Sequence, residues 1–336
     1  MAAKLLFLAC AVLAGSDPDR QGILAGVVRN ATRGGSPAAH SRVVLRVRMD
    51  GQVVPFDQTT ADAHGKFVFQ RLPVGRDYPF LPGANCDGVH YPGPAVRLTA
   101  GQPRAAVELV VYDAIAEPSP LVIRRHEIVL CPEPGAIRVT ESILIDNPSS
   151  TCYVGQTPKQ PDEEPVTLHL AVPSNFQRTT FHEEFFGRRF RLSDGKLITG
   201  IPWPPGKREL AFTYVLPSPQ RHFVWQRPVD LPCDQLRVRV QSERPDEVTC
   251  TLPRAAGAQH DELVFESAGQ GLAAGDAIRV ELGRLSVPWM AYARWLALAV
   301  LSTLIAGVSL LIVRQRAPFR RSRSSARHSC RVPGNG

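Results

Sequence analysis

Three side chains able to do proton or metal chemistry fall within five residues of one another in TTADAHGKFVFQRLPVG, residues 59–75: Asp62, His64 and Lys66. An acid, an imidazole and an amine this close are the raw material of a general acid–base pair or of part of a metal shell. Their surroundings argue for another use. Asp62-Ala63-His64-Gly65 lies between apolar-alternating segments, where an Asx side chain caps a turn and glycine supplies the positive φ of a short hairpin loop. Phe67 and Phe69 then point to one face of a strand, with Lys66 and Val68 on the other. Leu72-Pro73-Val74-Gly75 punctuates the chain again. Asp62, Gly65, Phe67, Phe69 and Gly75 are therefore assigned to a turn–strand–turn unit rather than to catalysis.

The other candidates are thinner. A zinc peptidase needs paired histidines and a carboxylate spaced to meet around the ion; FHEEFFGRRF (181–190) supplies His182, Glu183 and Glu184 but no second histidine four residues on. His126-Glu127 and His169 stand alone on strand-like segments and are expected to face solvent. Nucleophile-elbow, phosphate-loop and dinucleotide glycine motifs are absent. The exported cysteines are Cys86, Cys131, Cys152, Cys233 and Cys250, with no Cys-x-x-Cys among them. In an oxidising compartment Cys131, Cys152, Cys233 and Cys250 are possible disulfide partners. A hairpin turning at ERPDE would set Cys250 opposite Arg239, too far from Cys233 for a bridge, so no connectivity follows. Tyr78, Phe80, Tyr91, Trp203, Phe223 and Trp225 have the flat faces that sugars stack on, but in strands and proline turns such rings belong more often to a core. No catalytic residue, metal or cofactor is expected.

These residues need elements to hold them. The 30 prolines and 26 glycines argue against long helices. Segments such as VVLRVRM (43–49), KFVFQRL (66–72) and AVELVVYD (106–113) are short and mostly alternate with period two, the pattern of a sandwich or barrel. Asp50-Gly51 reads as a tight hairpin turn. A first domain over 20–114, a proline-punctuated linker at 115–120 and a second strand series over 121–286 follow. In RVTESILIDN the inward phase is ambiguous: Val139, Ser142 or Ile143, and Ile145 all qualify. The expected fold class is all-β, with two β-sandwich domains followed by a single transmembrane α-helix.

The ends set the topology. Lys4 and the short apolar run Leu5–Leu13 before Val12-Leu13-Ala14 read as a signal peptide over 1–15. Trp295–Val313 is a run of 19 residues without charge, about 28 Å of helix, enough for a hydrocarbon core of about 30 Å with its flanks. Trp289, Tyr292 and Trp295 would form an aromatic belt, and the basic tail 314–336, with seven arginines from Arg314 to Arg331, would lie in the cytoplasm. The net charge of +8 is concentrated there, since residues 15–293 carry 30 bases against 31 acids. A nucleic-acid partner needs a basic stripe on the body, and none is present. Arginine outnumbers lysine 34 to 5, the bias of a GC-rich genome, which points to a bacterium.

The stretch with Thr60, Asp62, Gly65, Phe67, Phe69, Leu72 and Gly75, after GVVRN and VVLRVRMDG, resembles the carboxypeptidase regulatory-like domain, a transthyretin-like seven-stranded sandwich. NCDGVHYPGPAVRLTAGQ is similar to a later stretch of bacterial members, with Cys86 in place of an aromatic. RVTESILIDNPSSTCYVG and PPGKRELAFTYVLP resemble the second β domain of membrane-anchored members. The resemblance covers most of residues 22–285 and implies an accessory module that carries no catalytic residues. Read this way, the chain is a non-enzymatic cell-membrane protein, single-pass with its body periplasmic or at the surface, that binds or scaffolds a protein partner. A carbohydrate-binding module, for polysaccharide or peptidoglycan, is the alternative by analogy of fold. A hydrolase or redox enzyme without a recognisable motif is the remaining one.

Overall fold

The computed structural model describes residues 21–156, 165–182, 190–193, 195–218, 221–242, 244–255, 262–283, 285 and 289–316. Among the described residues the fold is all-β apart from one helix and a single turn of 3-10 helix at Pro245–Glu247. Residues up to Leu285 belong to one compact unit, which holds two hydrophobic cores. The signal-peptide residues, Glu183, Glu184, Phe185 and Phe186, and the tail beyond Arg316 lie outside the described residues.

The first core is closed by two sheets. The strands are β1 (Gln21–Asn30), β2 (Ser36–Pro37), β3 (Arg42–Met49), β4 (Gln52–Thr60), β5 (Lys66–Pro73), β6 (Phe80–Cys86), β7 (Val89–Pro92), β8 (Arg104–Val111) and β9 (Ala114–Ile115). β1 pairs antiparallel with β2 and β5 and parallel with β8. The facing sheet runs β4-β3-β6-β7. Period-two alternation turns Leu24, Val28, Val43, Leu45, Val47, Phe67, Phe69 and Leu109 inward, all buried. Gly26 sits among them because the Phe67 ring lies over it: a Cβ there would come within 2.4 Å of the ring.

The second core is built from β10 (Val122–Glu133), β11 (Ala136–Asn147), β12 (Cys152–Tyr153), β13 (Leu168–Ala171), β14 (Arg178–His182), β15 (Arg191–Ser193), β16 (Lys196–Thr199), β17 (Gly206–Pro217), β18 (Phe223–Pro228), β19 (Leu236–Gln241), β20 (Val248–Cys250), β21 (Glu262–Glu266) and β22 (Ala277–Leu282). A six-stranded sheet runs β14-β17-β11-β10-β19-β21, and two smaller sheets run β18-β22-β20 and β13-β16-β15. β10 and β11 form a long hairpin through Gly135, whose φ is +80°. β19 does not fold back on β20. It pairs with β10 and β21, while Cys250 on β20 stands opposite Val280. β12 pairs with β9, and Cys152 is buried in the first core.

All five described cysteines are free thiols. Cys131, Cys152, Cys233 and Cys250, the possible disulfide partners, are not bridged. Cys131 lies on the outer face of the six-stranded sheet against Gln241, Cys152 in the first core, Cys233 in the second core, and Cys250 on a different sheet from Cys131.

The helix α1 runs Trp289–Arg316 and belongs to a separate unit. Trp295, Leu296, Leu298, Val300, Leu301, Leu304, Ile305, Val308 and Leu310 are exposed on it. Among the described residues no helix is long and apolar enough to cross a membrane. The described side chains of this segment end at Leu310, short of the full Trp295–Val313 run.

Candidate functional site

Polar side chains converge most densely inside the second core. Inward positions on β10, β11, β17 and β18 hold His126, Glu141, Tyr214, Trp225 and Arg227, none more than 2% exposed. They sit where alternation would place aliphatic residues: Glu141 between Val139 and Ile143, His126 before Ile128, and Tyr214 between Phe212 and Leu216. Arg227 donates to Glu141 through one nitrogen and to Asp230 through another. The imidazole Nε2 of His126 lies 2.9 Å from Glu141 Oε2, and Tyr214 donates to Glu141 Oε1 at 2.7 Å. Trp225 donates to the Tyr214 oxygen at 3.1 Å, and the Ala171 amide donates to Asp230 at 2.8 Å. His126 Nδ1 has no partner among the described residues.

Burial and charge pull against each other here. Burial raises the Glu141 carboxyl, but Arg227 and the hydrogen bonds from His126 and Tyr214 outweigh it and hold the group well below the usual carboxylate range. For Asp230 burial wins over Arg227, and its pKa is raised. Burial raises the Tyr214 hydroxyl further, and the neighbouring Glu141 charge adds to it. Removing charges from water costs several kcal/mol per ion, so this assembly persists because each carboxylate has donors on more than one side. Among the described residues its side chains are almost fully buried, and what it can do chemically is lock the β10–β11–β17 sheet to β18.

The second feature is open. An open depression of about 850 Å³ lies on the outer face of the first sandwich, bordered by Ala25, Val27, Lys66, Val68, Ala106 and Glu108. Its floor is apolar. Asp62 at its rim is already committed: Oδ1 accepts from the His64 and Lys66 amides, both at 2.8 Å, and the Lys66 amide, with His64, holds its carboxyl below the usual range. Gly65 has φ +73° and Gly75 +69°, while Phe67 and Phe69 point into the core. Thr59, Thr60, Lys66 and Glu108 complete its polar rim.

Sequence reasoning placed the turn residues away from chemistry but missed the buried cluster. His126 was expected to face solvent and is instead 1% exposed, because a register irregularity between Ile123 and Arg125 resets the inward phase of β10. His169 is exposed on β13. His182 Nε2 meets the Thr213 hydroxyl at 3.0 Å on the outer sheet face. Among the described residues no group of three His, Cys, Asp or Glu side chains is placed to hold a metal ion. Trp203 and Trp225 are buried and Tyr91 nearly so, whereas Phe56 is 42% exposed.

No protein-family model and no curated protein matches this chain. Among solved structures it is similar to native yeast LTA4 hydrolase, at 10% identity and a TM-score of 0.31 over 49% of this chain and 29% of that one. It is also similar to an M1 zinc metallopeptidase from Deinococcus radiodurans, at 12% identity and a TM-score of 0.29 over 50% of this chain and 43% of that one. The matched part spans less than half of either protein. Likeness at this level assigns neither fold family nor activity.

Proposed function

We propose that the chain is a non-catalytic exported protein, held at the cell membrane by its uncharged Trp295–Val313 segment, that binds or scaffolds a protein partner through its β-sheet body. The observation that carries this reading is the separation of polarity from access. The ionisable cluster is buried in the second core, while the open depression has a mainly apolar lining and its turn carboxylate Asp62 is held by backbone amides. The apolar run to Val313 and the arginines after it support the anchor. The Asp62–Gly65 turn and the sandwich around Phe67 and Phe69 are consistent with a carboxypeptidase regulatory-like module. A glycan platform needs clustered exposed rings, and burial of Trp203 and Trp225 favours a protein partner instead.

The test is cross-linking of the full chain in its native membrane, followed by pull-down and mass spectrometry. Recovery of a stoichiometric protein complex in the alkali-resistant membrane fraction is the expected result. Retention on polysaccharide or cell-wall fractions without a protein would replace this reading with glycan binding, and release by alkali would remove the anchor.

A further inference from the structure

β8 is an edge. Its partner among the described residues is β1, in parallel register from Ile23↔Arg104 to Asn30↔Val111. The Ile23 amide donates to the Pro103 carbonyl and the Ala31 amide to the Val111 carbonyl, so odd-numbered residues turn their backbone groups towards β1. Period two then leaves the N–H and C=O of Arg104, Ala106, Glu108 and Val110 facing the open side. The side chains of those same four residues are exposed.

Proteins guard such edges with proline, bulges or lysine. The β4 edge of the facing sheet has these protections: Pro55, a register shift opposite Leu45 and Arg46, and Asp57 beside it. β8 has none. It contains no proline or lysine, and its ladder with β1 runs without a shift.

We propose that β8 is a self-association surface, where two copies of the chain pair this strand antiparallel about a two-fold axis at Ala106. The outward backbone groups all belong to even-numbered residues, so even must oppose even. An axis at Glu108 or at Arg104 sets like charges against each other. An axis at Val107 leaves Arg104 against Val110 and Glu108 against Ala106. The axis at Ala106 places Arg104 opposite the partner's Glu108 at both ends, with two small side chains meeting at the centre, and allows about six backbone hydrogen bonds between the chains. Glu108 is free to take part: its ion pair with Arg29 is long, 3.6 Å, and both side chains are about half exposed. Pairing also joins the apolar faces around Ala25, Val27 and Val68 of the two copies into one surface. The inference rests on the edge of one strand and not on the proposed function, since a monomer can also scaffold.

Sedimentation of the full chain in detergent, with Arg104→Glu, Glu108→Arg and the double reversal, tests it. The wild type is expected to be dimeric. Each single reversal weakens the dimer about tenfold, because it creates two like-charge pairs across the axis, and the double reversal restores it. Ala106→Cys, at a hydrogen-bonded position where Cα atoms lie about 5.5 Å apart, forms a disulfide-linked dimer on mild oxidation beyond the wild-type background, while Val68→Cys does not. A monomeric wild type, or a dimer indifferent to all three charge variants, overturns the proposal. All of these positions are exposed, and unchanged unfolding transitions show that the variants remain folded.

Discussion

The two cores of the body solve the same packing problem with different materials. The first is lined by aliphatic and aromatic side chains, with the Cys152 thiol among them and Cys86 packed against it. The second has the same aliphatic framework but a charged assembly, Glu141–Arg227–Asp230 with His126 and Tyr214, at its centre. An apolar core tolerates loss in proportion to the volume removed. A buried ionic assembly fails discontinuously, because removing one member strands the charge of another. The second core is therefore the more specific in its register and the more brittle to single substitutions.

The sharpest way to break the comparison is Arg227→Ala. It leaves Glu141 without its guanidinium in a dry site and is expected to cost ~3 to 5 kcal/mol, read as loss of the unfolding midpoint in urea and as new proteolytic sites in residues 121–285. In the first core, Leu45→Ala is expected to cost ~2 to 5 kcal/mol, with the size of the cavity it leaves deciding where in that range it falls. The difference is one of mechanism: small apolar ligands should stabilise the Leu45 variant by filling the hole and leave the Arg227 variant unchanged.

A smaller loss is expected at the hairpin that opens β5. Gly65 has φ +73°, and a Cβ there would come within 2.5 Å of the Val28 carbonyl. Gly65→Ala should cost ~1 to 3 kcal/mol as stored strain, visible as a lower melting temperature without any change in the pH dependence of stability.

That pH dependence separates the cores most finely. Glu141 is held below its unfolded value, so its contribution is present above about pH 4.3 and is lost as pH falls through the lower folded value. Glu141→Gln should therefore flatten the acid limb of the stability curve. Asp230 is shifted the other way: its contribution is present below its unfolded value and is lost as pH rises through the raised folded one. Asp230→Asn is thus the mildest change, and its difference from wild type should shrink as pH is lowered. A first-core variant such as Leu45→Ala keeps both groups, so in urea unfolding its difference from wild type should stay constant across the acid range.

How much of this was legible in the sequence differs between the cores for the same reason. In β3 and β5 every inward position is apolar, so alternation alone places Val43, Leu45, Val47, Phe67 and Phe69. In β11 a carboxylate occupies an inward slot, so the phase of RVTESILIDN is ambiguous until Thr140 and Ser142 are seen to face out and Glu141 in. The cluster is invisible to spacing because its members come from four strands and the segment after β18, up to 104 residues apart, His126 to Asp230. Non-local pairing hid the rest: the ERPDE segment looks like a hairpin, yet β19 takes β10, more than 100 positions earlier, as its parallel neighbour. The free cysteines follow from the same geometry, since strands close in sequence went to different sheets.

Cys152 and Val154 pack against the first core, about 40 positions after β8 ends at Val111, and β12 zips onto β9 beside them. For a chain that emerges from its N-terminus, this sets a timetable. The first sandwich can assemble its eight strands early, but its hydrophobic interior stays unsealed until the β10–β11 hairpin has been made and the segment after it arrives. A nascent chain stalled between Asp113 and Ser150 would carry an open seam for chaperones and proteases to find, and cutting the protein at 115–120 would yield a half that never closes.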